Sequence, residues 1–126
     1  MTKLQALQEQ YSKAVGRLSE ILLEKKSDII RDSAIKRFEM AFDLSWKLTK
    51  TYLEERKGLV VRSPKECFRE AYQTGLIDYD DFWMQMTDWR NESAHTYNEK
   101  FSNMLYAQLP EVLKRFQLLQ QHIQKD

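Results

Sequence analysis

Residues 34–58 read AIKRFEMAFDLSWKLTKTYLEERKG, and the spacing of apolar side chains in this stretch decides the fold. Ala34, Ile35, Phe38, Ala41, Phe42, Leu48, Tyr52 and Leu53 recur at the intervals of one helical face, with charged residues between them. Ser27 or Asp28 can cap such a helix and Gly58 can end it, so the stretch predicts a long, aromatic-rich second helix. Upstream, Leu4, Leu7, Tyr11, Ala14, Leu18 and Ile21 keep the same period and predict a first helix.

Downstream, Ser63-Pro64-Lys65-Glu66 offers an N-cap serine, proline at the first helical position and a glutamate at the third, with Gly75 placed to end this short third helix. Asp78 can start a fourth helix through Phe82, Trp83, Met86 and Trp89. Thr96-Tyr97-Asn98-Glu99 reads as a capping box that opens a final helix with Phe101, Leu105, Leu109, Val112, Leu113, Phe116, Leu119 and Ile123 on its apolar side. Pro110 should bend or split that helix near Ala107, because its ring crowds the preceding turn. The expected architecture is all-α: a single domain over residues 1–126, a five-helix up-and-down antiparallel bundle with four-helix-bundle character. The first and last helices carry enough apolar residues to leave surplus surface, which predicts pairing of two chains.

Composition narrows the function. Twenty Lys and Arg face 19 Asp and Glu, so no broad positive field draws in polyanions and any nucleic-acid contact must be local. Cys67, the one cysteine, allows no internal disulfide and fits a reducing cytoplasm; as a core residue it needs no chemistry. The opening MTKLQALQEQ is amphipathic rather than a targeting segment and no window suits a membrane span, so a cytoplasmic location is expected.

One segment concentrates unlike polar functions between two apolar helices: Asp88-Trp89-Arg90-Asn91-Glu92-Ser93-Ala94-His95-Thr96-Tyr97-Asn98-Glu99. On one continuous helix Arg90 and His95 would stand about 140° apart around the axis. A chain turn before a new helix at Thr96 would let both face one groove at that helix's positive end. A planar guanidinium binds phosphate oxygens at two points, and an imidazole that titrates near neutrality moves protons, which together could support metal-independent RNA cleavage. The plainer reading pairs Arg90 with Glu92 or Asp88 and gives His95 only a role in the turn.

Other residues read as structure. Phe38, Trp46, Phe82, Trp83 and Trp89 sit at helical spacing and are expected in the core rather than against a base. Glu39 and Asp43, four apart with Arg37 and Lys47 nearby, suit solvated ion pairs better than a metal, and no metal is expected. Lys36, Arg37, Lys47 and Lys50 form a modest basic side, and His122 lies in a polar tail without evident company.

The segment from Arg90 to Tyr97 matches the pattern of Arg, four residues, His, any residue and Tyr found in HEPN-domain proteins. It also resembles the RN(x)3HTYN segment of the bacterial nucleotidyltransferase substrate-binding protein family. Ile35-Lys36-Arg37-Phe38-Glu39 followed by Asp43-Leu44-Ser45-Trp46-Lys47 resembles that family's IxRFE and ELxWK, with Asp43 and Ser45 where Glu and Ala are common. Ser63-Pro64-Lys65 with Phe68-Arg69-Glu70-Ala71 resembles its third helix.

The resemblance implies a homodimeric, non-catalytic, substrate-binding subunit of a separately encoded minimal nucleotidyltransferase. No cofactor is bound by the chain itself, and ATP or another NTP enters through the partner enzyme. It also implies an alternative, a ribonuclease toxin in which Arg90 holds the scissile phosphate, His95 transfers a proton, Asn91 supports the cleft and the partner silences the site by adenylylating Tyr97. Lys47 joins Arg90, Asn91, His95 and Tyr97 as a candidate contact for nucleotide or RNA. A third reading is a dimerising scaffold without ligand.

Overall fold

The computed structural model describes residues 1–95 and 97–125, which form five helices: α1 Lys3–Ile21, α2 Asp28–Lys57, α3 Pro64–Gln73, α4 Phe82–Ser93 and α5 Glu99–Lys125. The two longest, α2 and α5, follow the sequence periodicity closely. Ser27 caps α2 by accepting from the Ile30 N–H, and Gly58 ends it in the left-handed conformation at φ 65°, where a side chain would be strained. Ser63 caps α3, with Pro64 in its first turn as expected.

The helix α1 runs against both α2 and α5: Arg37 reaches the Arg17 carbonyl, and Tyr11 donates its hydroxyl to the Phe116 carbonyl at 2.8 Å. The helix α4 returns antiparallel beside α2, so α1, α2, α4 and α5 alternate as in an up-and-down bundle, with α3 packed on α2 and α4. Aromatic rings fill the centre. Phe38 stacks on Phe116 and contacts Phe42, which meets Phe68, and Phe68 stacks on Trp83 at 4.3 Å between ring centres. Phe38 and Trp83 are buried, while Trp46, Phe82 and Trp89 pack against the core from its margin, as their spacing predicts.

Three boundaries differ from expectation. The fourth helix begins at Phe82 rather than Asp78, and Asp80 serves its start by accepting from the Phe82 N–H at 3.0 Å. The last helix begins at Glu99, where the Asn98 side chain accepts from the Phe101 N–H; the capping role read for Thr96 lies outside the described residues. Pro110 does not split α5, which continues through it. The proline is exposed, so the Tyr106 carbonyl that loses its partner can be served by water.

The surplus apolar surface expected on the first and last helices is also small. Among the described residues α1 leaves no large apolar side chain exposed and α5 leaves Met104 and Leu118, because the apolar stripe of α1 is consumed by α2 and α5. His122, which showed no company in the sequence, has a partner in the fold: it lies within α5, and its Nδ1 meets the Leu76 carbonyl at 2.7 Å. Among the described residues no helix is long and apolar enough to cross a membrane.

Candidate functional site

The polar segment singled out in the sequence becomes an elbow between α4 and α5, and an arginine anchors each of its ends to α2. Arg90, in the last turn of α4, reaches across to α2. Its Nε and Nη2 donate to the two oxygens of Asp43 at 3.0 and 3.1 Å, and its Nη1 donates to Glu39 Oε2 at 3.4 Å. Ser93, three residues on, donates its hydroxyl to the same Glu39 oxygen at 2.6 Å. Hydrogen bonding to Asp43 raises the Arg90 guanidinium above its ordinary pKa, against the opposing effect of burial, so the charge is permanent. The plainer sequence reading therefore has the right kind of partner from the wrong helix: Arg90 pairs with α2, not with Asp88 or Glu92.

At the other end stands Arg31, whose whole residue is only 1% exposed. Its Nε donates to Asp32 at 3.0 Å, and its Nη1 donates to Asn103 at 3.1 Å and Glu99 at 3.5 Å, which ties the start of α2 to the first turns of α5. Sequence reading passed over Arg31, although it falls in register with Ala34, Ile35 and Phe38 on the apolar stripe, and a charge in that register demands partners. A second signal lay in Glu39 and Asp43. Like charges at i and i+4 repel on an isolated helix, so the pair calls for a cation from elsewhere.

Between these anchors Ala94, His95, Tyr97 and Asn98 are exposed, with Tyr97 83% accessible. The His95 N–H donates to the Glu92 carbonyl and thereby closes the end of α4. A cleft of about 220 Å³ opens beside the elbow, lined by Asp32, Ile35, Lys36 and Glu39 of α2, Ser93 of α4, and Tyr97, Phe101 and Ser102. Tyr97 thus lines the cleft, whereas Arg90 meets it only through its bonds with Glu39 and Ser93, and His95 is not among its lining residues. Asn91 is exposed on α4 beside Arg90, and Lys47 is exposed on α2 one turn beyond Asp43 and does not line the cleft. Among the described residues no group of three or more His, Cys, Asp or Glu is placed to hold a metal.

Chemically, the elbow offers an exposed phenol at a half-polar cleft and an exposed imidazole outside the lining of that cleft, on a backbone held from both sides. Residues 5–125 match the family described as nucleotidyltransferase substrate binding protein like. A Haemophilus influenzae protein named as a probable ribonuclease HepT is 31% identical over 90 residues, which is 68% of this chain and 62% of that protein. The chain therefore spans about three-fifths of the length of that relative. Among solved structures, one from Thermus thermophilus is 34% identical with a TM-score of 0.85, covering 90% of this chain and 98% of the other. Another, from Haemophilus influenzae, is 26% identical with a TM-score of 0.69 over 96% of both chains, and is described as the fold of a substrate-binding domain of a nucleotidyltransferase.

Proposed function

Since the chain belongs to the nucleotidyltransferase substrate binding protein like family, we propose that it is the substrate-binding, non-catalytic subunit of a separately encoded minimal nucleotidyltransferase. In this reading the partner enzyme brings ATP or another NTP, and the elbow, with Tyr97 and His95 exposed and Asn91 nearby, presents a nucleotide-bearing substrate or the Tyr97 hydroxyl itself to it. The chain works in the cytoplasm, and two copies pair to bring two elbows together.

The observation that carries the reading is the engagement of Arg90. All three nitrogens of its guanidinium are occupied by Asp43 and Glu39, so the group that would have to grip a scissile phosphate is committed to two carboxylates. A phosphate could reach only the two N–H groups that Asp43 and Glu39 leave over, and it would meet the repulsion of both carboxylates. Arg90 acts here as a positioning residue that sets the end of α4, and hence the elbow.

The ribonuclease alternative draws support from the relative named as a probable ribonuclease and from the presence of Arg90, His95 and Tyr97 at the motif positions. Expression of the chain alone in bacteria separates the two readings. The binding reading expects normal growth for wild type, Arg90→Ala and His95→Ala alike; growth arrest by wild type that either substitution relieves would favour the nuclease. Incubation with the partner enzyme and ATP, followed by intact-mass measurement of wild type and Tyr97→Phe, reports whether Tyr97 accepts AMP.

A further inference from the structure

The cleft beside the elbow carries more specific chemistry than docking requires. Its lining combines the apolar side chains of Ile35 and Phe101 and the exposed ring of Tyr97 with the carboxylates of Asp32 and Glu39, the Lys36 ammonium and the hydroxyls of Ser93 and Ser102. Each carboxylate is fixed by an arginine outside the lining: Asp32 Oδ1 accepts from Arg31 Nε at 3.0 Å, and Glu39 Oε2 accepts from Arg90 Nη1 and Ser93 Oγ. That arrangement leaves the second oxygen of Asp32 without a partner among the described residues, and the second oxygen of Glu39 with only the Lys36 ammonium, 3.9 Å away. The single Ser93 proton goes to Glu39 or to the Arg90 carbonyl, so toward a ligand this hydroxyl offers lone pairs.

A cleft with held acceptors and aromatic edges suits a flat ring that brings its own donors. Among nucleobases guanine has two adjacent donors, N1–H and the 2-amino group, on one edge, and a single carboxylate can accept both. Uracil has one N–H between two carbonyls, so the Lys36 ammonium can meet one carbonyl while the other faces a carboxylate, whereas the single O6 of guanine lies beside N1–H and can take Lys36 alone. We propose that this cleft is a guanine-binding subsite in which Asp32 accepts from the N1–H and amino edge while Tyr97 and Phe101 pack on the ring. The proposal rests on the reading that the elbow handles a nucleotide-bearing substrate, and names the base. The guanine belongs either to a free nucleotide or to single-stranded RNA.

The test is an NMR titration of the isotope-labelled chain with 5′-GMP, 5′-UMP and two short single-stranded RNAs that differ by one guanine-to-uracil exchange. GMP is expected to bind about tenfold more tightly than UMP, with shifts at Ile35, Ser93 and Phe101. Asp32→Asn, at a half-exposed position whose spectrum reports that the variant folds, is expected to remove about that factor for GMP and leave UMP unchanged. Tighter binding of the guanine-bearing RNA than of GMP identifies RNA as the source; equal binding identifies the free nucleotide. Equal affinities for GMP and UMP, shifts centred instead on a separate cleft that Tyr79 and Asp80, just before α4, line together with Arg115 and His122 of α5, or no binding by any probe would overturn the subsite. Co-elution with the nucleotidyltransferase is measured in parallel. A complex that forms without guanine preference removes only the subsite, and guanine preference without a complex removes only the partner reading.

Discussion

At the scale of single residues, Arg90 links stability to the site. Replacing it with Met leaves Glu39, whose side chain is 13% exposed, with only the Lys36 ammonium 3.9 Å away and removes the two-point contact with Asp43. We expect a loss of about 1–3 kcal/mol in urea unfolding. Arg90→Lys restores the charge but not the paired geometry and should recover only part of it. A double-mutant cycle with Asp43→Asn should show coupling between the two positions, and strict additivity would contradict the pairing. Cys67 makes the opposite kind of prediction. It is fully buried, and burial pushes its thiol up to about 12, so the native protein should not react with a thiol reagent at pH 8 whereas the unfolded chain should. Because the folded value is the higher one, the thiol costs no stability below the unfolded value near 9.0 and destabilises the fold as pH rises from there toward 12. Rapid labelling of folded protein at pH 8 would contradict this burial.

At the scale of elements, α5 holds the sharpest test. Pro110 sits exposed inside a helix that continues past it, at the cost of one backbone hydrogen bond. Pro110→Ala should raise thermal stability by about 1–3 kcal/mol, which a melting curve reads directly; destabilisation would mean that the proline shapes α5 in a way the core requires. The same helix shows why the sequence was legible only up to a point. Periodicity reports which face is buried, so Leu105, Leu109, Val112, Phe116, Leu119 and Ile123 were readable as one buried stripe. Whether a proline interrupts a helix depends on which side of it meets solvent, a tertiary fact. Likewise Asp78 and Asp80 are equally good caps in sequence, and only the bond from the Phe82 N–H to Asp80, beside the Arg115 ion pair, selects between them.

At the scale of the molecule, the motif residues were readable by type and their partners were not. Arg90, His95 and Tyr97 stood out because unlike polar groups rarely crowd a junction between apolar helices. Asp43 lies 47 residues from Arg90 and Arg31 lies 72 from Asn103, so these partners meet only when the bundle closes. Closure gives the site its character: two arginines spend their charge on holding the elbow, and what remains outward is a phenol, an imidazole and a cleft. On the proposed reading, a protein arranged this way presents groups to another enzyme rather than cutting a phosphodiester. The most direct measurement is size-exclusion chromatography with light scattering of the purified chain mixed with the nucleotidyltransferase, alongside an RNA-cleavage assay of the chain alone. The account predicts a stable mixed complex and no cleavage by the isolated chain. Failure to associate, together with RNA cleavage abolished by Arg90→Ala or His95→Ala, would contradict it.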